Sequence, residues 1–242
     1  NTKFRNKLIF MCIVSIVPMV LAGVFLLWNL SDSIRTNAEN EIISSADSLK
    51  IRLRDSIETI SNISERAIDN NDVRTLIHNN FVTSDEYYNF YLQSTSVSDI
   101  LDAYPQISSI SYYIDKKGFV NYNNFHKVTD DIENIYWYKD AVKLNLPRWH
   151  IIKDFEDETF SLCLVSPLNN MQGEFMGVAV MEVNMEVFAS LCDELSSSRD
   201  IILSTGQGII FYSTVEEYSA GKIIPMDTQK FIYGFSNSEI VS

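Results

Sequence analysis

Tyr136, Trp137, Tyr138 and Trp149 fall within 14 residues of one another, and Tyr112, Tyr113 and Tyr122 stand shortly before them. Rings with a polar tip are what small-ligand pockets use, provided a few fixed hydrogen-bonding groups stand among them. Asp140, Asp154 and Glu182 are the candidate polar partners. The same rings also fill cores between a sheet and its helices, and about half of them are expected to do only that.

Signs of catalysis are sparse. His78, His126 and His150 have no second metal ligand at helical spacing, and His150 lies in an expected strand, where a structural imidazole is the plain reading. Gly206-Gln207-Gly208 lacks the third glycine and the lysine of a phosphate loop, so a hairpin turn explains it. Neither a nucleophile elbow, a kinase phosphorylation box nor a nucleotide-binding glycine motif occurs. No enzyme activity, metal or cofactor is expected of these residues. Asp130-Asp131 and Glu216-Glu217 read as solvated surface. Cys163 and Cys192 either pair or stay as buried free thiols, and the apolar setting of Cys163 favours the second.

Charge tells where such a pocket would work. Lys and Arg number 19 against 32 Asp and Glu, a net charge of −13, which excludes a nucleic-acid partner because little would neutralise the phosphates. The first 30 residues hold Lys3, Arg5 and Lys7 and no acid. Residues 8–28 are uncharged and apolar, and as a helix they would span about 30 Å, the thickness of a bilayer's hydrocarbon core. This run exceeds the apolar part of a signal peptide, and no clear small-residue cleavage site follows. The expectation is an uncleaved anchor at the cell membrane, with residues 1–7 cytoplasmic, one span over 8–28, and 29–242 outside.

Ile42, Ala46, Leu49, Leu53, Ser56, Ile60, Ile63 and Ala67 then recur in steps of four and three. This stripe predicts a long helix over 29–70, continuous with the membrane segment. Two explanations stay open: the stripe packs on the domain behind it, or it pairs with a second copy as a homodimer and transmits movement.

Further helix is expected over 72–103, with Asp72 and Ser84 as N-caps and Pro105 as the stop. Alternation over 107–114, a turn at Asp115-Lys116-Lys117-Gly118 and residues 119–122 predict a hairpin. A helix over 134–145, strands over 149–155, 159–166 and 175–183, and a helix over 185–195 complete the first module. The turn pattern returns over 201–212, where Gly208 and Tyr212 repeat Gly118 and Tyr122 at an offset of 90. That suggests an α+β fold of two related modules, a distal one over 71–197 and a second over 198–242. The second has too few strands to close a sheet, and it is expected to continue beyond Ser242.

These features together resemble the extracytoplasmic double Cache sensor domain, a tandem of PAS-like modules with antiparallel sheets. The resemblance rests on the long helix after the anchor, the Asp115-x-x-Gly118 turn, Trp137-Tyr138 opening a short helix, and the strand Gly177-Val178-Ala179-Val180-Met181-Glu182-Val183. With Trp149 and Ser166-Pro167-Leu168, the pattern is most similar to sensor histidine kinases of low-GC Gram-positive bacteria, paired with arabinose-regulator-type response regulators. The resemblance implies ligand binding in the distal module, with Trp137 and Tyr138 matching the family's Trp-Tyr pair. Glu182 stands where amino-acid-binding members carry an aspartate. Ile135 replaces the arginine that would hold a carboxylate, so the resemblance points away from an amino acid and toward a neutral polyol, a sugar or a cationic ligand.

The expected ligand-binding set is Tyr112, Tyr122, Trp137, Tyr138, Trp149, Asp154 and Glu182. The expected function is the ligand-sensing input of a transmembrane receptor, with a cytoplasmic response regulator as partner if the output is a kinase. One alternative is the same domain on a chemoreceptor or cyclic-dinucleotide enzyme. Another is an anchored structural or adhesion module, in which the aromatic cluster is dry and packed rather than lining a cavity with Trp137, Trp149 and Glu182.

Overall fold

In the computed structural model of the chain, residues 2–79, 81, 83–94, 96–153, 159–196, 200–205 and 208–223 are described. The chain divides into two compact units, Asn1–Ser48 and Leu49–Ser242. Helix α1 (Thr2–Ile68) supplies the described residues of the first and the opening residues of the second.

In the first unit the apolar side chains that are described face outward: Leu21 is 63% exposed, Phe25 62% and Trp28 74%. Among the described residues no helix is long and apolar enough to cross a membrane. The run 8–28 expected to do so falls partly on residues 2–15, 17 and 18, whose side chains lie outside the described ones.

The second unit is α+β, as expected. After α1 come α2 (Asn71–His78), α3 (Ser84–Tyr91) and α4 (Ser96–Ala103), then β1 (Ile107–Ile114) and β2 (Phe125–Lys127). Next are α5 (Asp130–Asn134), α6 (Tyr136–Leu144), β3 (Arg148–Lys153), β4 (Phe160–Asn169), β5 (Phe175–Val183) and α7 (Met185–Ser196). Two short strands follow, β6 (Ile202–Ser204) and β7 (Ile210–Ser213).

Strands β1 to β5 form one sheet in the order β2-β1-β5-β4-β3. Every neighbouring pair is antiparallel except β1 with β2. Here the structure departs from the expected hairpin. Gly118, at φ +79°, does reverse the chain, but Phe119 and Val120 then turn into the core instead of pairing with β1. A second reversal follows, closed by mutual backbone bonds of 2.9 Å between Tyr122 and Phe125, with Asn123 at φ +45°. Two reversals restore the original direction, so β2 re-enters parallel to β1, with Tyr112 opposite Phe125.

The helix expected over 72–103 is three helices, and their caps are not those expected. Asn70 caps α2 by accepting from the Asp72 amide at 2.8 Å. Thr83 caps α3 in a reciprocal box with Glu86. Likewise 134–145 breaks at Ile135, which leaves α5 before α6. The loop between β4 and β5 is tight: Asn170 Oδ1 accepts from the amides of Gln172 and Glu174, both at 2.9 Å.

Because β-strand side chains alternate, each strand feeds two cores. On one face, Ile110, Tyr112, Leu164, Leu168 and Met181 pack with Leu53, Ile60, Ile63 and Ala67 of α1 and with α2. The stripe from Leu49 to Ala67 is therefore buried within this chain, whereas Ile42 stays 49% exposed. On the other face, Cys163, Val165, Val178 and Val180 pack under Trp137, Tyr138 and Ala141 of α6. β6 and β7 form a separate two-stranded sheet, as the second turn pattern predicted. It meets the larger sheet where the Phe160 ring lies over Gly221, so closely that a Cβ there would stand 2.5 Å from the ring.

Candidate functional site

The residues expected to bind ligand fall on opposite faces of the sheet. Tyr112, Tyr122 and Trp149 belong to the α1 side. Trp137 and Tyr138 belong to the α6 side, and so does Glu182, which follows Val178 and Val180 in the alternation along β5. Asp154 lies outside the described residues. A single cavity lined by Trp137, Trp149 and Glu182 does not occur among the described residues, since the sheet itself separates Trp149 from the other two.

On the α1 side Tyr112 and Trp149 serve the fold. Tyr112 is fully buried, and its hydroxyl donates to the Ala67 carbonyl at 3.2 Å. Ala67 is in the last turn of α1, where carbonyls lack helical partners, so this hydroxyl caps the helix. Burial, with a smaller push from Asp72, raises the Tyr112 pKa well above the ordinary phenol value. The ring stacks on Phe125 at 5.1 Å, and Phe125 in turn stacks on Tyr91 at 5.6 Å. Trp149, opposite Leu164, packs at the margin of the same core.

On the α6 side, apolar and polar ends can be told apart. At the apolar end Trp137 and Tyr138 are each 4% exposed, meeting at 6.2 Å, and Tyr113 lies 5.6 Å from Trp137. Burial, then the carboxylates of Asp115 and Glu133, pushes the Tyr138 hydroxyl up to about 12. His126, 5.2 Å from Tyr113, is held below the usual imidazole range by burial. His150 is lowered too, chiefly by burial, with Asp140 opposing the shift and Arg148 adding to it.

Glu182 defines the polar end. One carboxylate oxygen accepts from Ser109 Oγ on β1 at 2.8 Å, and the other accepts from Ser161 Oγ on β4. The strand register produces this clamp, because Glu182 lies opposite Ser109 on one side and Cys163 on the other. Burial first, then this carboxylate, pushes the Cys163 thiol up to about 12. Cys163 and Cys192 form no disulfide with each other; both are buried, in cores on opposite faces of the sheet.

Glu182 opens on a groove of about 650 Å³, with Ser108, Ser161, Asn184, Asp102 and Glu186 among its walls. The groove offers hydroxyls, one amide and three carboxylates, which suits a ligand rich in hydrogen-bond donors. No cluster able to hold a metal ion occurs among the described residues. Ser109 and Ser161 were not singled out from the sequence. Serines in alternating strands are common, and only the cross-strand register sets these two beside Glu182.

No protein-family model and no curated protein matches the chain. Solved structures do. The chain is similar to an extracellular ligand-binding receptor from Desulfohalobium retbaense, with a TM-score of 0.55 and 13% identity over 77% of this chain and 33% of that one. It is similar to the ligand-binding domain of the Campylobacter jejuni chemoreceptor Tlp3 in complex with L-valine, with a TM-score of 0.52 and 16% identity over 79% of each chain. It is also similar to the extracellular domain of a candidate histidine kinase, rpHK1S-Z16, with a TM-score of 0.50 and 13% identity over 72% of this chain and 68% of that one. At such identities the likeness is one of fold. The shared fold is a long N-terminal helix with a largely antiparallel sheet.

Proposed function

We propose that the chain is the ligand-sensing input of a membrane receptor, anchored by residues 8–28 with residues 29–242 outside the cell. The distal module, 71–197, takes a small polar ligand on the α6 side of the sheet. The observation that carries this is the Glu182 carboxylate, fixed by hydroxyls from both neighbouring strands at the mouth of a groove. Trp137 and Tyr138 lie buried toward the other end of this face, outside the walls of the groove.

The favoured ligand is a sugar or polyol, whose hydroxyls would bond to Glu182 and its serines. Ile135 leaves no guanidinium at the junction of α5 and α6 to hold a carboxylate. A second reading is an amino acid, favoured by the valine complex of the similar chemoreceptor domain and by the fit of an ammonium to Glu182. Residues 198–242 would begin a second module, and α1 would carry the signal, as a homodimer, to a cytoplasmic output. A histidine kinase working with a response regulator is the output we favour over a chemoreceptor or cyclase. The exposed apolar residues of α1 around Phe25 and Trp28 support the anchor, since water disfavours a helix that is apolar all round.

A thermal-shift panel of sugars, polyols, amino acids and amines tests the site. A specific ligand at 100 times its Kd stabilises by about 2.7 kcal/mol. Glu182→Gln should abolish the shift. A response to amino acids alone would overturn the polyol reading. A response to nothing, in the wild type, would leave an anchored structural module.

A further inference from the structure

Tyr88, Tyr91 and Tyr122 make an aromatic corner on the α1 side of the sheet, away from Glu182. They line a groove of about 290 Å³ together with Asp85 and Asn121. Tyr91 is 4% exposed and locked in place, with its hydroxyl donating to the Val120 carbonyl at 2.8 Å. Its ring stacks on Tyr122 at 4.8 Å and 10°, so Tyr122 has a rigid backing. Tyr88 stands at 88° to Tyr122, with ring centres 6.4 Å apart, and is 55% exposed.

Two perpendicular rings at that spacing can both face one small guest. A cation lying about 4.5 Å from each ring centre is within the roughly 6 Å reach over which an aromatic face attracts positive charge. Asp85 precedes Tyr88 by three residues on α3, which puts the two side chains on one helix face. It is the one charged residue among the groove's walls, and it is negative. A carboxylate beside two ring faces selects for positive charge, whereas an anion would be repelled.

We propose that this corner is a second binding site, for a small organic cation of the quaternary-ammonium or methylated-amine class. It is independent of the ligand taken at Glu182.

Choline is the probe, titrated calorimetrically into the full chain in a non-ionic detergent. Its uncharged isostere dimethylbutanol, in which a tert-butyl group replaces the trimethylammonium, is run beside it, and so is glucose. Choline should bind saturably, and the isostere about tenfold more weakly or worse. Tyr88→Ala should weaken choline by about tenfold, and the exposure of Tyr88 spares the fold. Tyr88→Phe should keep the affinity, Asp85→Asn should lower it, and Glu182→Gln should leave it unchanged. The proposal is overturned by any of four results: no choline binding, equal binding of the isostere, displacement of bound choline by glucose, or choline binding that survives Tyr88→Ala but is lost in Glu182→Gln.

Discussion

Ser64 Oγ on α1 and Ser166 Oγ on β4 share a buried hydrogen bond of 2.9 Å across 102 residues of sequence. Ser64 is 4% exposed and Ser166 is fully buried, in an interface that is otherwise apolar. Replacing one of them strands the other hydroxyl away from water. Ser166→Ala should therefore cost about 1–3 kcal/mol, whereas replacing both serines with alanine should cost less than the two single changes together. A double-mutant cycle by urea unfolding measures this. Strict additivity would mean that the hydroxyls do not act as a pair.

Tyr112 tests the division between the two faces. Tyr112→Phe removes the donor to the Ala67 carbonyl and keeps the stacked ring. It should lower the unfolding free energy by about 1 kcal/mol and leave ligand affinity unchanged. A loss of ligand response in this variant, at unchanged stability, would return Tyr112 to the binding site.

Gly177 and Gly118 make a paired prediction. Both have positive φ, +138° and +79°, but a Cβ on Gly177 would stand 2.0 Å from the Tyr113 carbonyl oxygen, while one on Gly118 meets nothing within 4 Å. Gly118→Ala should cost only the conformational strain of about 1–2 kcal/mol. Gly177→Ala forces β5 away from β1 and should cost more than about 4 kcal/mol. Chemical unfolding of both variants gives the comparison, and equal losses would show that sheet spacing at Gly177 is not the constraint.

Cys163 sets an alkaline limit. Its thiol is pushed from an ordinary value of 9.0 up to about 12 in the folded chain. The unfolded chain therefore loses the proton first, so this residue's contribution to stability is whole below pH 9 and falls as pH rises toward 12. Native protein at pH 8 should resist iodoacetamide at Cys163 and react only in denaturant. In Cys163→Ala, stability should fall less steeply between pH 9 and 11 than in the wild type. Rapid native alkylation would mean that the α6 cover opens readily.

The α+β class and strands β3, β4 and β5 were legible to within a few residues, because alternation and the Asn170–Gly173 turn are local signals. The caps of α2 and α3 were placed one or two residues late, at Asp72 and Ser84 rather than Asn70 and Thr83, and α4 was not set apart from α3 because apolar spacing runs on past the break. The hairpin after β1 was misjudged for a related reason. Gly118 announces one reversal, while the second depends on Asn123 accepting a left-handed conformation, which its neighbours do not advertise. Trp137, Tyr138 and Glu182 were marked by residue type and share one face of the sheet, but neither ring is among the walls of the groove at Glu182. Tyr112, Tyr122 and Trp149 were grouped with them because proximity in sequence does not tell which face of a sheet a ring takes. That depends on strand parity relative to α1, a long-range property.

Strand β4 touches two neighbourhoods with consecutive residues. Ser161 holds Glu182, and Phe160, immediately before it, lies against Gly221 beside the β6–β7 sheet. Adjacent residues of a strand cannot shift independently, and the glycine leaves the ring no slack. A displacement of β4 at Ser161 would therefore be felt at Phe160, so one strand ties the Glu182 clamp to the packing of the next sheet.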